Sequence, residues 1–471
     1  MGQKNPFYAD IMAMHSAVTG SCNLLIVKFP NGKTVRFVVD CGLFQERELE
    51  ECNNFLPFHA ENLDFCLVTH NHVDHIGRLP FLVKQGFNQK IYATDTTCEL
   101  LPLSLADSHK VLKDVAKRNN KHALYEEADV DKTLSFLRAA YYEKTIEVME
   151  GIKVTFFTNG HLIGAALILV QIKYPGYEDI NILFTGDYNS KNIFCDVKAI
   201  PKWVRKLPLT IVQESTYGDM ESTEIKKTFT KNILNCISNS GTAIVPVFSL
   251  GRAQEILYEI KRMQIAGKLE AELPIYLDGK LAIRYTTMYL ERELGIKEKM
   301  KDFLPENLTF VDKSSRPTIL ASYEPKIILT TSGMGSYGPA QVYIPEYITR
   351  SNALIQFTGY CAEGTLGYKL KNAEIDELVE VSGTILKKRA KVEYTTEFSA
   401  HAKADQMIDF LKKFEDLRLV LVNHGEPETK KIFAERIVRE VDAKRVGILG
   451  KEYFFRVNPY GLVKTLSTKF K

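Results

Sequence analysis

Residues 67–75 read LVTHNHVDH and lie between an apolar run that predicts a strand and the segment IGRLPFLV, which predicts a helix. They contain His70, His72, Asp74 and His75. In an extended loop, His70 and His72 point to the same side because side chains alternate with a period of two, whereas Asp74 and His75 turn onto the start of the helix. This short segment can therefore supply ligands to two adjacent metal ions.

Imidazole and carboxylate ligands together are typical of zinc, and also of manganese and iron. We expect two Zn²⁺ ions, with Mn²⁺ as the alternative. A pair of such ions lowers the pKa of a bridging water and holds both oxygens of an in-line phosphoryl displacement. A histidine-rich surface loop is the ordinary alternative. We adopt that interpretation for isolated histidines such as His15 and His59, but not for this cluster.

Three further candidate ligands follow strand-like runs that open into glycine-containing loops. They are His161 in FTNGHLIG, Asp187 in ILFTGDYNS and His424 in VLVNHGEPE. Functional groups commonly project from such positions on a rigid sheet. Taken singly, His161 could be a turn residue and Asp187 an Asx turn. Taken together with residues 70–75, they predict one site assembled from distant parts of the chain.

The composition is that of an ordinary globular protein, with 45% hydrophobic and 25% charged residues over a length of 471, which predicts two domains. The net charge of +3 neither indicates nor excludes a nucleic-acid binder. Eight cysteines without a Cys-x-x-Cys pair predict reduced thiols and a cytoplasmic location. The stretch Val154–Ile172 lacks charges, but its polar residues favour two buried strands over a membrane span, and we expect no membrane.

The order of the predicted elements divides the chain into three stretches. Strand-like runs alternate with turn signals over the first 200 residues, apart from a predicted helical insertion at 101–147 that includes VDKTLSFLRAAYYEKTI. From about residue 209, strands alternate with helices as in a parallel α/β domain. We therefore expect one domain from residues 1–208 and 390–471, with a second domain inserted at 209–389.

Several motifs resemble those of a known family. HNHVDH, GH at 160–161, GD at 186–187 and Asp40 in FVVDCG are similar, in this order, to motifs of the metallo-β-lactamase superfamily. The rest resembles the β-CASP ribonucleases, which include RNase J and the endonuclease subunit of the polyadenylation cleavage factor. These motifs are ESTYGD (214–219), VPVFSLGRAQE (245–255), TSGMGSYGP (331–339), GYCAEGTLGYKL (359–370), FSAHAKADQ (398–406) and NHGEPE (423–428). The resemblance implies an αββα sandwich with an inserted parallel α/β domain, in a minimal two-domain form.

The resemblance also implies roles for individual residues. The seven implied metal ligands form two sets: His70, His72 and His161 for one zinc, and Asp74, His75 and His424 for the other, with Asp187 bridging. Asp40 is implied to hold the outer ring nitrogen of a ligand histidine. Asp74, Asp187, Glu214 and His401 form the implied catalytic group. We expect Glu214 to raise the pKa of His401, which then protonates the departing ribose oxygen.

The expected function is zinc-dependent hydrolysis of single-stranded RNA by a hydroxide activated between two metal ions, in RNA processing or decay. Cleavage is internal, from the 5′ end, or both. In this family, a histidine at the position of His424 accompanies RNA substrates. Ser399 beside His401, Arg252 near a predicted helix N-terminus and Ser332 in a glycine-rich turn are the candidate phosphate contacts.

Three alternatives stay open. The first is a DNA nuclease of the same branch, which a side-by-side cleavage assay on single-stranded RNA and DNA would separate from a ribonuclease. A metallo-β-lactamase-fold hydrolase of a small ester or thioester would share only the metal motif and should lack residues 209–389. A non-catalytic scaffold would be expected to lose ligands, and this chain has all of them. The RNA targets and the oligomeric state also stay open, with a homodimer as one option.

Overall fold

The computed structural model describes residues 6–15, 17–359, 361 and 364–467. Residues 360, 362 and 363 of the motif GYCAEGTLGYKL lie outside the described part. The chain folds into two compact units. Unit 1 is assembled from Met1–Ser222 and Ala400–Lys471, and unit 2 is the intervening stretch Thr223–Ser399.

Unit 1 contains an eight-stranded sheet. Its strands are β1 (Tyr8–Ala13), β2 (Asn23–Lys28), β3 (Thr34–Val39), β4 (Phe65–Leu67), β5 (Ile91–Thr94), β6 (Leu137–Ala140), β22 (Tyr453–Asn458) and β23 (Gly461–Ser467). Their order across the sheet is β23-β22-β1-β2-β3-β4-β5-β6. Strand β1 pairs antiparallel with β22, so that Ala9 lies opposite Val457, and Asp10 forms an ion pair with Arg456 at 2.7 Å. The first described strand of the chain is thus held by one of the last.

A seven-stranded sheet forms the other half of unit 1. Its strands are β7 (Thr145–Met149), β8 (Ile152–Thr158), β9 (Ala166–Ile172), β10 (Ile180–Phe184), β11 (Pro208–Glu214), β20 (Asp416–Asn423) and β21 (Val446–Ile448). Their order is β21-β20-β11-β10-β9-β8-β7. Strand β11 pairs in parallel with both β10 and β20. The stretch of unit 1 before the insertion and the stretch after it therefore meet in the middle of this sheet.

The helices of unit 1 cover the outer faces of the two sheets. They are α1 (Val73–Ile76), α2 (Leu79–Lys84), α3 (Asp95–Arg118), α4 (Glu127–Ser135), α5 (Lys202–Arg205), α12 (Ala404–Leu411) and α13 (Pro427–Glu440). Short 3₁₀ helices occupy Arg47–Asn54 and Ala60–Asn62. Phe37 and Ile168 pack between the sheets, Leu82 packs outside the eight-stranded sheet, and Phe410 packs outside the seven-stranded sheet. The layers follow the order αββα, as the resemblance implies.

Burial of both faces explains the long uncharged stretch in the sequence. In β9, Ile168 belongs to the core between the sheets, whereas its neighbours Leu167 and Leu169 belong to the core under the outer helices. A strand buried on both faces is a continuous apolar run rather than an alternating one. Among the described helices, none has the length and apolar character needed to cross a membrane.

The expected helical insertion at 101–147 is correct for α3 and α4 and wrong for its last part. Residues Leu137–Ala140 form the edge strand β6, which pairs in parallel with β5, and Thr145–Met149 form β7. Leu, Arg and Ala favour helices in isolation, but helix propensity is a weak preference that tertiary pairing overrides.

Unit 2 is a parallel α/β domain. The strands of its main sheet are β12 (Thr242–Pro246), β13 (Ile275–Asp278), β14 (Leu308–Phe310), β15 (Lys326–Thr330), β16 (Ala353–Phe357) and β19 (Lys391–Tyr394). Their order is β14-β13-β15-β12-β16-β19, and each strand is parallel to its neighbours. A separate hairpin joins β17 (Leu378–Val381) to β18 (Thr384–Lys387). The helices are α6 (Phe229–Ser238), α7 (Arg252–Ile265), α8 (Lys280–Glu291), α9 (Arg316–Ala321), α10 (Ala340–Tyr347) and α11 (Leu366–Asn372), with a 3₁₀ turn at Glu298–Met300. A further 3₁₀ turn, Ser222–Glu224, begins with the last residue of unit 1 before the insertion.

The limits of unit 2 differ from the expected 209–389. Strand β11 belongs to the seven-stranded sheet of unit 1, and the second limit falls after Ser399. The physical reason is that β11 pairs in parallel with its neighbours, so in sequence it is indistinguishable from the first strand of a parallel α/β domain.

Candidate metal centre

The candidate site residues of unit 1, ligands as well as Asp40, lie where strands end. Asp40 follows β3, His70 follows β4 after a short loop, Asp187 follows β10, and His424 follows β20. Asp40 and His424 have φ values of 64° and 45°, a left-handed conformation that is uncommon for residues other than glycine. Such strained residues cost on the order of 1–3 kcal/mol each and cluster at functional sites.

A first group of ligand atoms gathers around His72. The Nδ1 atom of His72 lies 3.2 Å from Nε2 of His70 and 2.9 Å from Nε2 of His161. Oδ2 of Asp187 lies 3.6 Å from each of the latter two nitrogens. All four ligand atoms lie within 4.8 Å of one another, close enough to bind a single ion.

A second group shares Asp187 with the first. Oδ1 of Asp187 lies 3.2 Å from Nε2 of His75 and 3.3 Å from Nε2 of His424. Oδ2 of Asp74 lies 3.7 Å and 3.8 Å from the same two nitrogens. One carboxylate therefore faces both groups, which is the arrangement of a bridging ligand between two ions.

The chemistry of these donors fits a pair of divalent cations. Nε2 of His75, Nε2 of His424 and Oδ1 of Asp187 are buried and, among the described residues, have no hydrogen-bond partner. Buried polar atoms are normally hydrogen-bonded, and converging exceptions need an explanation. Metal coordination would satisfy all three, and imidazole with carboxylate is the donor set of zinc and similar ions.

Hydrogen bonds fix the outer nitrogens of four histidines. Nδ1 of His75 donates to Oδ2 of Asp40 at 2.8 Å, the contact expected for Asp40. Nδ1 of His161 lies 3.1 Å from the carbonyl oxygen of Ala400. The other two partners are hydroxyl groups: Thr69 at 3.0 Å from His70 Nδ1 and Thr216 at 3.0 Å from His424 Nδ1. With Nδ1 occupied, Nε2 is the nitrogen that faces the ligand group.

Burial and neighbouring charges set the protonation of the ligands. Burial lowers the pKa of His72 to about 4 and lowers the pKa values of His70 and His161. Burial opposes charge on His75 as well, but the carboxylates of Asp187, Asp40 and Asp74 outweigh it and raise the pKa of His75. The neutral imidazoles of the first group are in the form that binds a metal ion.

Glu214 and His401 form a pair beside the two ligand groups. Nδ1 of His401 lies 3.1 Å and 3.0 Å from the two carboxylate oxygens of Glu214, and Nε2 of His401 lies 3.8 Å from Oδ2 of Asp187. The carboxylate of Glu214 also accepts hydrogen bonds from the backbone N–H groups of Tyr188 and Thr216. Burial would lower the pKa of His401, but Glu214 and Asp187 outweigh this effect and raise it.

The three candidate phosphate contacts belong to unit 2. Arg252 is the first residue of α7 and is 8% exposed, and its guanidinium donates to Glu255 and to the carbonyl of Thr358. Ser332 lies between β15 and α10, where its hydroxyl accepts a hydrogen bond from the N–H of Tyr337 at 3.3 Å. Ser399 is the last residue of unit 2. The guanidinium of Arg252 is thus engaged within its own unit.

Arg78 is a further residue whose role sequence reasoning missed. It is 2% exposed and donates from Nε to the carbonyl of Gly42 at 2.6 Å. Its other donors reach the carbonyls of Cys52 and Phe55 at 3.3 Å and 3.2 Å. A Cβ atom on Gly42 would lie 1.5 Å from the carbonyl oxygen of Asp74. Arg78 therefore holds a loop that packs directly on the backbone of the ligand segment.

Comparison with known proteins identifies three matching family models. They are a metallo-beta-lactamase superfamily domain over residues 26–192, a Beta-Casp domain over 253–370, and a Zn-dependent metallo-hydrolase RNA specificity domain over 385–447. The chain is 30% identical to an RNase J-like protein of Methanocaldococcus jannaschii, over 85% of this chain and 90% of that protein. It is also 30% identical to a ribonuclease of Thermus thermophilus, over 87% of this chain and 91% of that protein.

A longer relative is the transcription termination factor FttA of Methanosarcina mazei. The identity is again 30%, over 83% of this chain. This chain spans 63% of the length of that protein.

Proposed function

Because this chain belongs to the β-CASP ribonuclease family of the metallo-β-lactamase superfamily, we propose that it hydrolyses phosphodiester bonds in single-stranded RNA with two zinc ions as its resident cofactor. One observation carries the proposal: seven ligand side chains form two groups that share Asp187, and the Glu214–His401 pair lies beside them. The RNA specificity domain and the two nearly full-length ribonuclease relatives favour RNA over DNA as the substrate.

The bound ions supply a nucleophile at neutral pH and stabilise the charge that develops on the phosphate. The chain itself supplies the proton for the leaving group. With Nδ1 of His401 committed to Glu214, Nε2 is the nitrogen directed towards Asp187. In the imidazolium form, His401 donates its Nε2 proton to the departing ribose oxygen, while Glu214 keeps the ring oriented and favours its charged state.

Cytoplasmic residence is part of the proposal, and its support is that none of the eight cysteines, all of them described residues, forms a disulfide. A homodimer is the assembly that we propose to test, by light scattering of the purified protein. The observed mass then gives the oligomeric state directly.

The test begins with protein stripped by a chelator and reloaded with Zn²⁺ or Mn²⁺. The reloaded protein is incubated with end-labelled RNA carrying a 5′ monophosphate or triphosphate, and with DNA of the same sequence. We expect cleavage of RNA only, restored by metal, and the product lengths separate internal from 5′ cleavage. Equal cleavage of DNA would favour the DNA nuclease alternative, and no cleavage of RNA with either metal would refute the proposal.

His401→Ala tests the proton donor. We expect turnover to fall by about 10²–10⁴-fold, the usual contribution of a general acid, while elemental analysis still finds both ions. Loss of metal from this variant would contradict the role, because His401 would then be needed for the ligand groups themselves.

A further inference from the structure

The turn that follows β11 contacts His401 and His424, the two histidines of the stretch Ala400–Lys471. We call residues Ser215–Tyr217 the positioning segment. The N–H of Ser215 donates to the carbonyl of His424 at 2.9 Å, and its hydroxyl donates to the carbonyl of Asn423 at 2.8 Å. These two bonds hold the backbone of His424 in its left-handed conformation, so the ring starts from a fixed position.

Thr216 then fixes the ring of His424. Its hydroxyl lies 3.0 Å from Nδ1 of His424, while Nε2 faces Oδ1 of Asp187 at 3.3 Å. A neutral imidazole carries one proton, so a hydroxyl that accepts from Nδ1–H leaves Nε2 bare. Only the bare nitrogen can coordinate a cation. The contact at Nδ1 thus holds the ring with Nε2 towards the second ligand group, and the hydroxyl can accept the Nδ1 proton of the tautomer that this group needs.

Tyr217 contacts the segment that carries His401. Nζ of Lys403 lies 3.3 Å from the centre of the Tyr217 ring, and the ring of His401 lies 6.0 Å from it, edge to face. Lys403 is 1% exposed, and cation–π contacts are strongest where the cation is removed from water. His401 and Lys403 are two residues apart, so this contact and the Glu214–His401 pair hold the same short segment from two sides.

Three more hydrogen bonds hold the residues that follow His401. Ala402 N–H donates to the carbonyl of Tyr188 at 2.7 Å, and Ala404 N–H donates to the carbonyl of Met220 at 2.9 Å. The N–H of Ser222 donates to Asp405 at 2.9 Å. Two of these bonds thus join the residues after His401 to Met220 and Ser222, which follow the positioning segment, and the third joins them to Tyr188; all lie within unit 1.

We propose that Ser215–Tyr217 positions both histidines for the reaction: Thr216 sets the affinity of the cation at His424, and Tyr217, with Lys403 on its ring, holds His401 against Glu214. The part of the inference that concerns His401, Tyr217 and Lys403 rests on the proposed function. It adds Thr216, Tyr217 and Lys403 as positioning residues that act through the histidines.

The first experiment measures metal affinity without any RNA. Metal-free protein is titrated with Zn²⁺ against a competing chelator for Thr216→Val, Thr216→Ser and the matched control Thr210→Val, which alters a buried threonine on β11 itself. In Thr216→Val we expect one of the two ions to bind about 10–100-fold more weakly, the usual effect of losing a partner of a ligand histidine. The serine and control variants should bind both ions as the native protein does.

Native affinity in Thr216→Val would overturn the assignment of Thr216. If the valine variant does not fold, Thr216→Ala takes its place. Equal Zn²⁺ affinities in the alanine and serine variants would then overturn the assignment of Thr216. Because this experiment uses no RNA, it decides the inference even where the native protein cleaves no RNA and the proposed function fails.

The second experiment measures kcat and KM on RNA for Tyr217→Leu, Tyr217→Phe and Lys403→Met. We expect kcat to fall by about 10–100-fold in the leucine and methionine variants, with KM and metal content unchanged, because a misplaced group costs rate and not binding. Tyr217→Phe keeps the ring face and should keep the rate. The Tyr217→Leu, Lys403→Met double variant should be no slower than either single variant, because both changes remove one contact. A loss confined to KM, or additive losses, would overturn the assignment.

Discussion

Asp40→Asn removes the charge behind His75 while keeping the size and shape of the side chain. Oδ1 of Asp40 accepts from the N–H of Thr69, and Oδ2 accepts from the Thr69 hydroxyl and from Nδ1 of His75, each at 2.8 Å. Because the N–H of Thr69 needs an acceptor, the amide oxygen of asparagine takes the position of Oδ1. Asparagine tolerates the positive φ at this position, so the backbone can stay as it is.

The amide NH₂ group then points at His75. It cannot accept from Nδ1–H, so the two hydrogen bonds on Oδ2 are lost or reversed. A reversed bond places the histidine proton on Nε2, the nitrogen that must be bare to bind a cation. Hydrogen bonds to charged groups contribute about 1.5–3 kcal/mol. Losing such a partner weakens metal binding by about 10–100-fold, or about 1.4–2.8 kcal/mol, and we expect a loss in this range.

The assay is a competition titration of Zn²⁺ between metal-free protein and a chromogenic chelator, with Asp278→Asn as the matched control. Asp278 is equally buried and ends strand β13 of unit 2, where it pairs with Arg316 at 2.6 Å and accepts from Tyr343. The control should lose stability and keep both metal affinities. Native affinity for both ions in folded Asp40→Asn would refute the reasoning.

Three further changes probe the surroundings of the site and the fold. Gly42→Ala places a methyl group 1.5 Å from the Asp74 carbonyl oxygen, so we expect the ligand segment to shift and elemental analysis to find less metal than in the native protein. An unchanged metal content would contradict this prediction. Arg78→Met leaves three carbonyl acceptors, one buried and two partly buried, without their donor. It should lower the free energy of unfolding in urea by about 2 kcal/mol or more, and a loss below about 1 kcal/mol would show that the loop adapts. Burial lowers the pKa of Lys430 to about 8, so its charge destabilises the folded state below that pH, and this cost disappears as the pH rises towards the unfolded pKa of about 10.4. The gain in free energy of unfolding from Lys430→Met should therefore be largest at pH 7 and smallest at pH 10. A gain that is independent of pH would contradict this prediction.

The fold and the candidate site can be predicted from the sequence where the pattern is local or repeats along the chain. His70, His72, Asp74 and His75 are readable because all of them lie in one loop. His161, Asp187 and His424 are readable because each follows an apolar run, and strand ends in a layered sheet gather at common edges. The parallel domain follows from the alternation of predicted strands and helices, whereas the αββα order is implied by the resemblance to the family.

The residues that support the ligands carry no comparable signal. Thr216 and His424 lie 208 positions apart, and a threonine after a strand has many ordinary explanations. Arg78 lies in a segment that predicts only a helix, and nothing local indicates that its partners are backbone carbonyls. The strand β6 was missed for the related reason that its pairing with β5 depends on a chain segment some distance away. Pairwise contacts of this kind are set by the assembled fold and not by local preference.

The pairing of β1 with β22 has a consequence for synthesis on the ribosome. Tyr8–Ala13 emerge long before Phe455–Val457, in which the backbone groups on one edge of β1 find their partners. Unit 2 lies entirely between these points and has a complete parallel sheet of its own, so we expect it to finish folding while unit 1 is still open. His424 also arrives late, and a nascent chain that lacks it holds only part of the second ligand group. We therefore expect the full metal complement to be acquired only after unit 2 and then His424 have emerged.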